Sequence, residues 1–156
     1  MKPKFQKLYM DWALRAADLS YARRLKVGAV VVKDDTVISY GYNGMPAGWD
    51  NNCEYWHEDG DQGSEWRTRP EVLHAESNAI AKLAKSSNSG LGAELFVTHS
   101  PCIQCAKLIY QSGIARVYYG ANYRDDAGVQ FLKNSGVEVS HFDADISINT
   151  NLTKQS

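Results

Sequence analysis

The first apolar positions of the chain fall at helical spacing. Phe5, Leu8, Trp12, Ala16 and Leu19 share one face, with Lys, Gln, Asp and Arg between them, which predicts an amphipathic helix whose buried side is that stripe. The pattern then changes to a β-branched run, VGAVVVK (27–33), followed by the turn signal DD (34–35) and a second extended run, TVISYGYN (36–43). These two runs predict a β-hairpin. Periodicity disappears over 44–70, a stretch rich in Gly, Asp and Asn that holds three of the four Trp residues. It is expected to be one long loop with a function, since structureless loops of this length are rare in compact domains. PEVLHAESNAIAKL (70–83) returns to helical spacing, with Leu73, Ala79, Ile80 and Leu83 on the inner face.

Beyond it, the pattern predicts a strand at 93–99, a helix from near Cys102 to near Gly113, and a strand at 115–120. A short helix at 127–134 and a strand at 137–142 complete it. Strands alternating with helices imply parallel pairing with helices on both faces, and the opening hairpin makes the sheet mixed. The fold class is therefore α/β, a single domain over 1–142. The polar tail at 143–156 is expected to fray.

Charge and composition remove several classes of partner. The formal net charge is −1 over 156 residues, with no basic stripe of the kind that follows a polyanion, so no nucleic-acid partner is expected. No run approaches the ~20 apolar residues of a membrane span. Lys2, Lys4 and Lys7 are followed by Asp11 and Arg15, which interrupt any signal-like apolar segment, so a cytoplasmic protein is expected. The three cysteines, Cys53, Cys102 and Cys105, are odd in number and include one C-x-x-C pair. That favours metal or thiol chemistry in a reducing compartment over a disulfide framework.

Two polar features open the helices on either side of the 93–99 strand. Cys102 and Cys105 follow Pro101 at a helix start, where the spacing sets both sulfurs on one side of the first turn and the helix dipole favours thiolate. His74 and Glu76 stand at the start of the helix before it. Taken singly, the cysteines fit a redox pair or half of a structural zinc site, and the histidine fits a helix cap. Together they count as three ligands, His74, Cys102 and Cys105, for a catalytic Zn²⁺ with an open fourth position. Glu76 is left free to move protons for a water whose pKa zinc lowers to about 7. His-x-Glu followed by Pro-Cys-x-x-Cys is the pattern of the zinc nucleobase deaminases.

With those residues the chain resembles the cytidine deaminase superfamily, and within it the deoxycytidylate (dCMP) deaminases. The resemblance runs from about Leu8 to Phe142 through RRLKVGAVVVK, GYNGMPAGW, HAESNAI and VTHSPCIQCAKLI. It implies a three-layer α/β/α sandwich around a five-stranded mixed sheet, with 44–70 as a long loop of a single deaminase domain. It also implies hydrolysis of dCMP to dUMP and ammonia, feeding dTMP synthesis. Glu76 would be the catalytic base and acid. Asn43 would reach the sugar, the Ala75 backbone would orient the base, and Tyr123, Arg124 and Lys26 would contact substrate. Activation by dCTP accompanied by Mg²⁺, inhibition by dTTP and a hexameric homo-oligomer follow from the same likeness, with Gly44, Gly48 and Lys85 as effector contacts. If the source is viral, the host cytoplasm is the expected compartment.

Two departures stand out. Some viral relatives hold a second zinc in the long loop. Here Cys53 and His57 supply two ligand types, but RTRPEVL before His74 adds no Cys or His, so no second metal is expected. His99 replaces an apolar residue before Ser-Pro-Cys and is expected to pack rather than ligate. The competing readings are a nucleoside cytidine deaminase, a tRNA or single-stranded-DNA deaminase, and a non-catalytic zinc module that senses nucleotides.

Overall fold

The computed structural model describes residues 1–60, 63–123 and 125–142. Helix α1 (Pro3–Ala17) leads into β1 (Gly28–Lys33) and β2 (Thr36–Tyr42), then β3 (Glu54–Asp59) and β4 (Gly63–Thr68). Helix α2 (Ala75–Ala84), β5 (Glu94–His99), α3 (Ile103–Gln111), β6 (Arg116–Ala121), α4 (Ala127–Asn134) and β7 (Glu138–His141) follow. The main sheet has five strands in the order β2-β1-β5-β6-β7. β1 runs antiparallel to β2 and β5, whereas β5, β6 and β7 are parallel. The mixed α/β sheet expected from the sequence is present.

Alternation along the strands divides the core into two layers. Val31, Leu95, Val97 and Val117 point to the side covered by α2, α3 and α4. Val30, Val32, Phe96 and Tyr118 point to the side covered by α1, where Phe96 stacks on Tyr118 with ring centroids 4.6 Å apart. The central run AVVV of β1 is buried on both faces, which is why it reads as continuous apolar sequence rather than alternation.

Three expectations are corrected. The buried side of α1 is Tyr9, Met10, Ala13, Ala16 and Ala17, while Leu8, Trp12 and Leu19 are 50%, 45% and 53% exposed. Close approach decides this: a Cβ on Gly28 would lie 1.9 Å from the Ala13 carbonyl oxygen. The helix therefore seats through Ala13, Ala16 and Ala17 together with Tyr9 and Met10, and Leu8, Trp12 and Leu19 are left outside. The second helix begins at Ala75 rather than at 70. Leu73 instead exchanges backbone hydrogen bonds with Gly44, at 2.8 and 3.1 Å.

The third correction concerns 44–70, which is not irregular throughout. It contains the antiparallel pair β3–β4, with Trp56 opposite Trp66 and their rings edge-on at 5.4 Å. Acidic and aromatic residues sit side by side there and neither face is buried, so no strand pattern shows. The tail at 143–156 lies outside the described residues.

Candidate active site

Helix starts supply the reactive groups. His74 and Cys102 are the N-caps of α2 and α3, each with extended backbone. Glu76 and Cys105 lie within the first turns. The parallel strand β5 ends between them, which brings both helix N-termini to the carboxyl end of the sheet, where open α/β sheets gather their sites. Gly41 permits this on the sheet side, since a Cβ there would meet the Ala75 carbonyl oxygen at 2.3 Å.

His74 Nδ1 lies 3.5 Å from Cys102 Sγ and 3.3 Å from Cys105 Sγ, and the three donor atoms are all within 4.8 Å of one another. A tetrahedral ion with Zn–N of about 2.0 Å and Zn–S of about 2.3 Å needs ligand separations of roughly 3.6–3.8 Å. The donor set and its spacing fit zinc. Glu76 is 4% exposed, and burial pushes its carboxyl above the usual range. Hydrogen bonds from Cys105 and His74 pull the Cys102 thiol down to about 3, whereas the Cys105 thiol is pushed up beside that thiolate. Hydrogen bonding to Cys102 also raises the His74 ring above its ordinary value.

Ligation needs both thiolates and a neutral imidazole, so zinc binding must expel protons. Calorimetric titration of the apoprotein with zinc, in two buffers of different ionisation enthalpy, should give at least one proton released at pH 7. Affinity should fall about tenfold per pH unit for each proton released. A buffer-independent heat would show that the ion binds elsewhere.

The cluster opens into a cavity of about 500 Å³. Asn43, Ala75 and Tyr123 line it together with His74, Glu76 and Cys102. Asn43 spans the wall: its amide oxygen accepts from Val27 N–H at 2.8 Å, and its amide nitrogen donates to the Leu25 carbonyl at 2.7 Å. Tyr123 is held by its backbone N–H donating to Ser100 Oγ at 2.6 Å. Lys26 is exposed and is not among the lining residues, whereas its neighbour Arg24 is. Arg124 lies outside the described residues. Gly44, Gly48 and Lys85 stand away from the cavity lining: Gly44 in the bridge to Leu73, Gly48 at a positive φ of 86°, Lys85 at the end of α2.

His99 lines the cavity without joining the three-donor cluster, and its Nδ1 is 3.0 Å from Thr98 Oγ1. Cys53 is buried in the cavity wall, while His57 lies on β3.

Sequence reasoning missed Glu54 and Thr68. Both line the cavity from the root of the β3–β4 hairpin. Glu54 is buried and accepts the backbone N–H groups of Arg23 and Arg24 at 2.8 and 3.2 Å, and Arg24 donates to Thr68 Oγ1 at 3.3 Å. A carboxylate in an acidic loop carries no sequence signal for such a role.

The α/β sheet thus sets a zinc-compatible His-Cys-Cys cluster beside a buried carboxylate. Residues 3–121 match the cytidine and deoxycytidylate deaminase zinc-binding region, and the chain belongs to that family. It is 38% identical over 150 residues to the deoxycytidylate deaminase of enterobacteria phage T4, across 73% of this chain and 77% of that protein. It is 34% identical over 147 residues to the deoxycytidylate deaminase of Saccharomyces cerevisiae, across 91% of this chain and 46% of that one. The dCMP deaminase of cyanophage S-TIM5, crystallised with dCMP and dUMP, has a similar structure. The TM-score is 0.81 at 45% identity, covering 91% of this chain and 99% of that chain. No helix among the described residues is long and apolar enough to cross a membrane.

Proposed function

We propose that this protein hydrolyses dCMP to dUMP and ammonia. The observation that carries the reading is the convergence of His74, Cys102 and Cys105 within 4.8 Å, with buried Glu76 lining the same cavity. Those three residues would hold Zn²⁺, which supplies a Lewis acid able to make water a nucleophile near neutral pH. Glu76 takes a proton from the attacking water and delivers it to N3 of the cytosine ring, making C4 electrophilic. It then carries a second proton to the exocyclic amino group, which departs as ammonia while the C4 carbonyl forms. Burial favours the protonated carboxyl, which suits a group that must give the proton up within the same cycle.

The remaining lining follows from the shape of a nucleotide. The Ala75 backbone orients the ring, Asn43 meets the sugar from the cavity wall, and Tyr123 covers the substrate. Arg24 at the cavity edge, with Lys26 and Arg124 from the flanking segments, offers cations for the 5′-phosphate. By family resemblance the product feeds dTMP synthesis in a cytoplasmic setting. The same resemblance makes dCTP with Mg²⁺ an activator and dTTP an inhibitor, acting through Gly44, Gly48 and Lys85 of a hexamer.

The test is ammonia release from equal concentrations of dCMP, deoxycytidine and CMP, with and without dCTP–Mg²⁺. Turnover confined to dCMP and raised by dCTP supports the reading. Equal turnover of deoxycytidine would move the protein to the nucleoside branch. Silence toward all three would leave a nucleotide-sensing zinc module.

A further inference from the structure

The segment from Ser20 to Val27 belongs to no helix or strand, yet side chains hold its backbone along most of its length. Ser20 Oγ donates to the Asn43 carbonyl at 2.7 Å and accepts the Ala22 N–H at 3.1 Å. The two ends of the Asn43 amide engage the Leu25 carbonyl and the Val27 N–H. Between these clasps, the consecutive N–H groups of Arg23 and Arg24 converge on one oxygen, Glu54 Oε1, at 2.8 and 3.2 Å. Successive backbone N–H groups aimed at one point make a concavity suited to an anion. Here the chain's own carboxylate fills it, 8% exposed on the cavity wall.

Glu54 does not act alone. It stands opposite Thr68 in the β3–β4 ladder, and Arg24 Nη1 donates to Thr68 Oγ1 at 3.3 Å. One cross-strand pair therefore grips Arg24 at both ends, Glu54 by the backbone and Thr68 by the guanidinium. The hairpin root is itself tied down, because the Arg69 N–H donates to the Cys53 carbonyl at 2.8 Å. Among the described residues, Arg24 is the one Lys or Arg that lines the cavity. Its side chain is exposed on an irregular segment, so closing on a ligand would cost it rotamer freedom. Holding it beforehand removes part of that cost.

We propose that Glu54, with Thr68 opposite it, is a positioning residue that presets Arg24 for the 5′-phosphate and so selects a nucleoside monophosphate over the nucleoside. Glu54 touches no substrate atom in this role and acts through Arg24, whose guanidinium can meet the phosphate with two N–H groups. Commitment of Oε1 to two N–H donors offsets the negative charge that would otherwise face the phosphate. The role rests on the cavity taking a pyrimidine nucleotide, as proposed above. A buried carboxylate that merely secured the hairpin would behave differently: its loss would harm ligands with and without a phosphate alike.

dUMP and deoxyuridine, compared as competitive inhibitors of dCMP deamination by the zinc-loaded protein, separate the two accounts. Wild type should bind dUMP at least about tenfold more tightly, the effect of a single hydrogen bond between charged groups. Glu54→Leu keeps much of the bulk and accepts nothing. It should raise KM for dCMP and Ki for dUMP about tenfold, with kcat falling less and Ki for deoxyuridine moving less than about twofold. Glu54→Gln, whose amide oxygen still accepts both N–H groups, should restore the preference for dUMP. Thr68→Val removes only the partner of the guanidinium and should shift the preference the same way by a smaller factor. It reads out the role even where zinc content and thermal unfolding show Glu54→Leu to be misfolded.

Equal losses for dUMP and deoxyuridine in Glu54→Leu would overturn the proposal and leave the dCMP reading intact. A Thr68→Val protein with the wild-type preference, or a Glu54→Gln protein without it, would do the same. A wild type that binds dUMP no better than deoxyuridine would overturn both together.

Discussion

Glu76→Gln should leave the fold and the metal in place and remove the reaction. The side chain is 4% exposed on the cavity wall, so an amide of the same size fits without opening a void. His74, Cys102 and Cys105 are untouched, and zinc should still bind one ion per chain. The amide cannot shuttle a proton between water, N3 and the amino group. Turnover of dCMP should drop by about 10²–10⁴-fold, the usual worth of a positioned acid or base. Stability should move the other way. Burial works against the ionised carboxylate, so replacing it with a neutral amide removes a desolvation cost and should keep or raise the thermal midpoint. The checks are single-turnover kinetics, metal analysis and thermal unfolding on the same preparation. Full turnover by the variant would end the proton-shuttle assignment.

Gly41→Ala should damage both stability and catalysis from outside the cavity. A Cβ at that position would lie 2.3 Å from the Ala75 carbonyl oxygen and 2.7 Å from Ala79 N. These are backbone atoms of α2 and cannot rotate away, so the helix must shift off the sheet. Overpacking of this kind typically costs about 1–3 kcal/mol. The shift begins at the turn that carries His74 and Glu76, and a misplacement of about 1 Å can cost about 10²-fold in rate. Gly60→Ala is the control, because among the described residues a Cβ there meets nothing within 4 Å. Urea unfolding and kcat for dCMP should both fall for the first variant and neither for the second. A Gly41→Ala enzyme with normal rate and midpoint would mean that α2 can sit farther from the sheet than its packing indicates.

What the sequence disclosed depends on whether the determining physics was local. The run VVV of β1 and the helix at 127–134 were legible because burial and turn residues wrote themselves into consecutive positions. The convergence of His74, Cys102 and Cys105 was legible because spacing at two helix starts carries chemistry. The orientation of α1 was not, because it is decided by how closely Ala13 and Ala17 approach Gly28, a distance between segments rather than a pattern within one. The hairpin at 54–68 was hidden for a related reason. With neither face packed in the core, it has no alternation to read, and the role of Glu54 arises only when two loops far apart in sequence meet.

Helix α2 also guards the open side of the sheet. β2 is an edge strand, and two of its carbonyls are taken by α2 side chains, Tyr40 O by Lys82 Nζ at 2.9 Å and Tyr42 O by Asn78 Nδ2 at 3.1 Å. Unoccupied carbonyls on a strand edge are templates for adding foreign strands. The element that presents His74 and Glu76 is thus the same one that keeps the sheet from growing. Anything that lifts α2 off the sheet, as a Cβ at Gly41 would, should therefore cost solubility along with catalysis, because the edge of β2 is bared at the same moment.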